Sequence, residues 1–151
     1  MTRTHARPRR GATVLEVAIV LPLAFFLVFA LVIGAMGIFR YQEVATLARE
    51  AARYGSTHGY QYRKDSNLAT GSENDWKEAI YKNAIEPRLI GLDKTRLTVE
   101  VSYPDVINQP GKPDNWPGSK VEVTVRYRWL PEMFLVGPIE LSSTSSMPIT
   151  N

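Results

Sequence analysis

The feature of the sequence that most limits its fold is an apolar run at residues 17–39, which holds 23 residues and no charged side chain. At ~1.5 Å of rise per residue, a helix of this length extends ~35 Å, and the hydrocarbon core of a bilayer is ~30 Å thick. The sequence contains no second run of this kind. The run therefore predicts a single membrane-spanning helix.

The positive charge of the chain is concentrated ahead of the apolar run. Residues 1–11 contain Arg3, Arg7, Arg9 and Arg10 and no acidic side chain, so the remaining 14 basic residues face 15 acidic ones. A nucleic-acid-binding domain needs its basic residues on the domain itself, and this distribution argues against such a partner. Arginines beside a membrane span are instead typical of its cytoplasmic end. We therefore predict a cytoplasmic N terminus and an extracytoplasmic C-terminal part.

The helical pattern continues beyond the apolar run. Small and apolar residues recur at three- and four-residue steps, namely Tyr41, Val44, Ala45, Ala48, Ala52 and Gly55. We therefore predict a basic leader at residues 1–11 and one long helix over residues 12–55. The first half of this helix spans the membrane, and the second half is amphipathic and extracytoplasmic. Gly55 is the predicted C-terminal stop.

Small residues follow one stripe of the predicted helix. In the membrane half they are Ala30, Gly34 and Gly37, and small side chains at such positions let two helix backbones approach closely. We predict that these three residues form a helix-packing surface. In the outer half, Ala48 and Ala52 are expected to pack on the protein's own sheet.

Residues 56–151 are predicted to form an extracytoplasmic α+β domain. Residues 56–71 have the composition of a loop, and Ser72 is the expected N-cap of a second helix that ends at Pro87 or Gly91. Alternation of apolar and polar residues predicts three strands, at residues 97–103, 121–129 and 139–149. The predicted architecture is a long N-terminal helix packed on a small antiparallel sheet of about three strands, with one additional helix.

The junction between the leader and the apolar run has the arrangement of a prepilin-type signal. Basic residues are followed by Gly11, by four uncharged residues and then by Glu16, which directly precedes the apolar run. This arrangement resembles type IV pilins, in which a membrane-embedded peptidase cuts after the glycine and leaves the apolar helix on the mature chain. Cleavage there would give Ala12 a cationic amine, and Glu16 would lie one helical turn away. An unpaired carboxylate beside an apolar span is costly, so a partner for Glu16 is expected.

Residues 9–55 of the chain resemble the TadE-like family. Residues 10–23 read RGATVLEVAIVLPL, and residues 48–55 read AREAARYG. The family often has an aromatic residue after the glutamate, where this chain has Val17, and TadF-like proteins share the same plan. The resemblance implies a pilin-like minor pseudopilin of the tight adherence pilus, in the bacterial cytoplasmic membrane. It also implies a prepilin peptidase, other pilins and the pilus assembly platform as partners, with Glu16 pairing with the amine of a neighbouring subunit.

Two other interpretations of the sequence stay open. The small-residue triplet at residues 35–37 is a possible signal-peptidase site, and a cut there would give a secreted domain, although the apolar run exceeds the ~7–15 residues of such a signal. Alternatively, the chain is an anchored or secreted binding module of unknown ligand, which acts through the loop at residues 104–118 and Trp116.

The sequence offers little for catalysis or metal binding. It has no cysteine, and its two histidines, His5 and His58, have no partners at ligand spacing. His58 stands beside Ser and Thr in a stretch that lacks the strand–turn–helix pattern of a hydrolase nucleophile. We predict that the protein is not an enzyme and has no cofactor.

Overall fold

The computed structural model describes residues 10–68, 73–104, 114–131 and 137–150. Its contacts divide the chain into two compact units, Met1–Gly37 and Ile38–Asn151. Helix α1 runs over Arg10–Thr57 and supplies residues to both units. The predicted long helix is therefore present, and it begins two residues before the predicted start at residue 12.

In the first unit, α1 continues as a helix through Pro22. Proline is tolerated there because all the other backbone hydrogen bonds of this apolar segment stay within the helix. The large apolar side chains of this part of the helix are exposed from Val14 to Met36, apart from Ile33, which is half-buried. The first unit therefore presents an apolar surface without a core of its own among the described residues.

The second unit contains a three-stranded antiparallel sheet. Its strands are β1 (Leu97–Ser102), β2 (Lys120–Trp129) and β3 (Ile139–Pro148), in the order β1-β2-β3. The register pairs Val125 with Val99 of β1 on one side and with Ser143 of β3 on the other. Since β2 is the central strand, its inward residues have neighbours on both sides and form the middle of the core.

The core of the second unit lies between the outer half of α1, the short helices and one face of the sheet. Val121, Val123 and Val125 of β2 are fully buried. Burying a side chain of this size stabilises the fold by ~1.5–3 kcal/mol relative to its exposed state. The helices contribute Val44, Leu47, Ala48, Ala51, Ala52, Ile80, Ala84 and Ile85. These contacts confirm the α+β fold and the packing of Ala48 and Ala52 inside the protein.

Gly55 lies inside α1, so the prediction that it ends the helix is wrong. It is buried against the sheet, and a Cβ atom added to it would lie 3.0 Å from Val121 Cγ2 and 3.3 Å from Ile80 Cδ1. A glycine near the end of a helical pattern can therefore either end the helix or let the helix pack closely on a strand. The sequence pattern alone does not separate the two uses.

The end of α1 is tied to the last strand by hydrogen bonds. Ser56 Oγ donates to the carbonyl oxygen of Pro148 at 2.6 Å, and the backbone N–H of Thr150 donates to the carbonyl oxygen of Ser56 at 2.9 Å. The second bond uses the Ser56 carbonyl oxygen, which lies at the helix end and has no partner within the helix. The two bonds fix the end of the helix at one end of β3.

Short helices occupy the segment between α1 and the sheet. Helix α2 (Tyr60–Asp65) lies where we predicted a loop, which corrects that prediction. Helix α3 (Glu73–Ile80) continues into a π-helical turn, Tyr81–Ile85, and a 3-10 turn, Glu86–Arg88. The predicted cap Ser72 lies outside the described residues. The single additional helix of the prediction is thus several short ones.

Candidate processing and assembly site

Gly11 and Ala12 are the second and third residues of α1. Gly11 is exposed, and a Cβ atom added to it would meet no atom within 4 Å. The first four N–H groups of a helix have no acceptor within the helix, and glycine is a poor helix former. No acidic residue lies in the first turn to stabilise the positive end of the helix dipole. Gly11 is therefore an exposed residue in the first turn of α1, and the first turn is the least stable part of a helix.

Glu16 lies one helical turn after Ala12, on the exposed surface of α1. It stands at the start of a shallow groove along the helix, whose other lining residues are Val17, Val20, Leu21, Ala24, Phe25 and Val28. Glu16 is the one acidic residue between Arg10 and Arg40. The structure thus puts a single carboxylate at the end of an apolar helix face.

The predicted helix-packing residues lie further along the same helix. Ala30 and Gly34 are exposed, and Gly37 is half-buried. Gly34 follows Glu16 by eighteen residues, which is about five turns at ~3.6 residues per turn, so the two residues lie on one side of the helix. A Cβ atom added to Gly34 would meet nothing within 4 Å. The surface is open, and its contact with a second helix stays a prediction.

The apolar residues of the first unit are exposed all around the helix. Consecutive residues such as Phe25, Phe26, Leu27 and Val28 are each between 53% and 61% exposed, and four consecutive residues point in four different directions. One helix, Thr13–Thr57, is long and apolar enough to cross a membrane by length and composition. Lipid can cover such a surface on every side, whereas one partner helix covers only one side.

A second cluster of side chains, aromatic and basic, lies at the end of α1 and on α2, and its Tyr60, Tyr62, Arg63 and Lys64 form an aromatic-basic patch in the sequence. The rings of Tyr54 and His58 stack with centroids 4.0 Å apart, and Tyr62 meets His58 edge-on at 4.4 Å. Burial raises the pKa of the Tyr54 phenol, and the neighbouring Tyr62 adds to the rise. The four-residue spacing of Tyr54, His58 and Tyr62 is the sequence signal of this stack, although the composition of residues 56–71 predicts a loop.

The same cluster contains three further aromatic rings beside the Tyr54–His58–Tyr62 stack. Tyr60 lies 5.4 Å from Trp116 and 6.4 Å from Trp76 between ring centroids. The Arg63 guanidinium carbon lies 5.5 Å from the centroid of the Trp76 ring, which is a cation–π contact. The aromatic and basic residues of α2 therefore contact α3 and the segment before β2.

The two clusters differ in their chemistry. The first is a junction with a glycine, a free helix end and one carboxylate, which suits cleavage and charge pairing. The second is a set of aromatic rings that pack on one another or under the Arg63 guanidinium, so it contributes to the packing of the second unit. Among the described residues, no group of three or more His, Asp or Glu side chains is placed to hold a metal ion.

The fold and the first cluster define an α+β protein with a candidate membrane-spanning helix. A model of the TadE-like protein family matches residues 11–53, which confirms the family resemblance drawn from the sequence. The match covers the candidate processing and assembly site and ends inside α1, so it supports the resemblance of the helix and not of the sheet. No curated protein and no solved structure gives a significant match to the chain. Along its long helix, the chain is similar to a family of pilus components.

Proposed function

We propose that this protein is a TadE-like minor pseudopilin of a tight adherence pilus or a related secretion filament. The observation that carries the proposal is the apolar surface of α1, on which every large apolar side chain from Val14 to Phe39 except the half-buried Ile33 is exposed. Such a surface is stable only within lipid or among other apolar helices. The family match over residues 11–53 connects this helix with pilus components. In this proposal α1 is a membrane anchor that also packs in an assembly.

The first step of the proposed function is cleavage after Gly11 by a prepilin peptidase. The exposed position of Gly11 in the first turn of α1 supports this step, because a peptidase needs an extended segment and the first helical turn is the least stable part of a helix. The cut removes the basic residues 1–11 and leaves the apolar helix on the chain. The mature chain begins at Ala12, whose new amine carries a positive charge.

The second step is pairing of Glu16 with such an amine on a neighbouring subunit. A carboxylate near the centre of a span costs ~2.5–3.5 kcal/mol, and near its end the cost is smaller but still favours a partner. A cationic amine satisfies the carboxylate and also determines how far one helix is displaced along its neighbour. The charge pair thus mainly determines the register of neighbouring helices, and the apolar contacts supply most of the free energy of association.

The third step is close contact between helices at Ala30, Gly34 and Gly37. Without side chains beyond a methyl group, this surface allows backbones to approach and gain van der Waals contacts within lipid. Glu16 and Gly34 lie on one side of the helix, so a single neighbour can contact both. We propose that the second unit lies outside the cytoplasm, since the arginines of the leader favour a cytoplasmic N terminus.

The proposed role of Glu16 is tested by Glu16→Gln, which keeps the side chain's size and removes its charge. Pilus assembly in the native host is expected to fall strongly, while membrane insertion, cleavage after Gly11 and the unfolding midpoint of the second unit stay unchanged. The control is Glu78→Gln, which removes a charge from an exposed position of α3 and should leave assembly intact. Normal assembly of the Glu16→Gln variant would overturn the charge-pairing role.

A secreted binding module is the second candidate function, and one observation favours it. The boundary between the two compact units falls directly after Gly37, at the small-residue triplet that a signal peptidase could cut. Such a cut would release the second unit with its core residues intact. The N-terminal residue of the mature protein distinguishes this outcome from cleavage after Gly11.

A further inference from the structure

Ile90 is the most exposed large apolar side chain in the described part of the second unit, at 77%. It lies in the connection between the 3-10 turn Glu86–Arg88 and β1. Two nearby residues of this connection point the other way, since Leu89 packs against the core and Leu92 is buried in it. The connection is therefore fastened to the core and presents a single isoleucine to its surroundings.

The backbone around Ile90 is held in one conformation by local hydrogen bonds. Leu89 has φ −74° and ψ 76°, which is the geometry of an inverse γ-turn, and the Ile90 N–H donates to the Arg88 carbonyl oxygen at 2.9 Å. Gly91 follows with φ +79°, a conformation that glycine adopts without strain. The Arg40 guanidinium donates to the Gly91 carbonyl oxygen at 2.6 Å. The exposure of Ile90 is thus fixed by the fold of this connection.

Ile90 shares a shallow groove of about 270 Å³ with Phe39, the last residue of the apolar run. Phe39 is 61% exposed, and the helix that carries it is long and apolar enough to cross a membrane. Arg40 comes directly after it and is held between Glu43 and the Gly91 carbonyl. Basic residues at the end of a span keep their charge among the lipid headgroups while their stems lie along apolar surface. The groove thus lies where the chain leaves the apolar run.

The composition of the groove favours lipid over a protein partner. Its lining combines three apolar side chains with four polar ones. The boundary between headgroups and acyl chains accepts both kinds of side chain, whereas a partner helix needs apolar anchors over several turns. An isoleucine beside the end of a span can enter lipid without moving any other part of the fold.

We propose that Ile90 and Phe39 insert side by side into the surface of the bilayer that α1 crosses. The inference rests on the proposed anchoring of α1, because Phe39 reaches this surface only when residues 17–39 lie in lipid. The insertion extends ~5–10 Å into the boundary between headgroups and acyl chains. It gives the second unit a contact with the membrane in addition to α1 and so limits the tilt of this unit on the membrane surface.

The test uses single cysteines, because the chain has none of its own. The full-length variants Ile90→Cys, Val28→Cys and Leu68→Cys are labelled with a nitrobenzoxadiazole fluorophore and reconstituted into vesicles of phosphatidylcholine and phosphatidylglycerol. Leu68 is the matched control, because it is 50% exposed and lines a cavity with Tyr54, which lies about four turns after Phe39 on α1. Lipids brominated near the headgroup end of the acyl chain then quench each label that contacts lipid.

We expect the label at Ile90→Cys to emit at a shorter wavelength than the label at Leu68→Cys and to be quenched several-fold more strongly. The label at Val28→Cys reports independently on the anchor and should also be quenched. Ile90 is largely exposed, so the labelled Ile90→Cys protein should unfold at the same temperature as the wild type.

Two results would overturn the lipid contact of Ile90. The first is quenching at Ile90→Cys as weak as that at Leu68→Cys. If Val28→Cys is quenched in that experiment, the anchor stands and only the position of Ile90 is wrong, whereas an unquenched Val28→Cys refutes the anchor as well. The second is emission at a shorter wavelength from Ile90→Cys without quenching by brominated lipid, which would mean that a protein surface covers the groove.

Discussion

Enlarging Gly55 should destabilise the second unit, although glycine is a poor residue for the middle of a helix. Replacing glycine by alanine in a helix interior gains ~0.8–1 kcal/mol of propensity. At this position the added Cβ would lie 3.0 Å and 3.4 Å from the two γ-methyl groups of Val121 and 3.3 Å from Ile80 Cδ1. Val121 is fully buried and stiff at χ1 because it is β-branched, so it has little room to move.

Overpacking of a core by added methyl groups costs ~1–3 kcal/mol. For Gly55→Ala the cost and the propensity gain nearly offset each other, which leaves a net loss of ~0–2 kcal/mol. Gly55→Val adds two further methyl groups and gains less propensity, so we expect a net loss of ~2–3 kcal/mol. For a unit of this size, that corresponds to a fall of roughly 8–15 °C in the unfolding midpoint.

The assay is thermal unfolding of the full chain in detergent, followed by the near-ultraviolet signal of the aromatic residues. Gly34→Val is the matched control, because it is the same change in the same helix at a position with open space around it. The unfolding midpoint of the control should match that of the wild type. A Gly55→Val protein that is as stable as the wild type would refute the close packing of α1 on β2.

Two further predictions concern hydrogen bonds at the ends of elements. Ser56→Ala should lower the free energy of urea unfolding by ~1 kcal/mol, because it removes the bond to the Pro148 carbonyl oxygen of a distant strand. Thr57→Ala removes only bonds to residues within four positions in the sequence, Arg53, Tyr54 and His58, and should change it less. Lys94 Nζ donates to Glu86 at 2.6 Å, which lowers the pKa of Glu86 and raises that of Lys94. A lowered carboxyl pKa contributes stability that is present near neutral pH and is lost as the pH falls through the folded-state pKa. Lys94→Met should therefore lower the unfolding midpoint slightly near neutral pH and leave it unchanged in acid, and a difference that persists in acid would refute this role of the pair.

Much of the fold could be predicted from local sequence patterns. Apolar and polar residues alternate along the ten residues of β2, and in a half-buried segment this alternation indicates a strand and not a helix. The long helix was predicted for a similar reason, because its apolar and small residues recur at helical steps. The junction at Gly11 and Glu16 is also local, so it could be found without knowing any tertiary contact.

The parts that were not predicted depend on contacts between distant residues. Gly55 looks like a helix stop in the sequence, and only its contact with Val121 explains why the helix continues. Helix α2 has six residues, a length at which isolated helices are unstable, so its formation depends on packing. Asn115 lies in the predicted loop at residues 104–118 and is 1% exposed, and this burial has no local sequence signal because it results from contacts with residues distant in the chain.

The central claim is that α1 stays on the mature protein after cleavage at the leader. The most direct measurement is the intact mass of the protein purified from the membranes of its native host. The proposed function predicts a chain that begins at Ala12 and retains the whole apolar helix. A chain that begins after Gly37 would contradict this account and indicate a secreted domain, and an uncut chain would contradict prepilin-type processing.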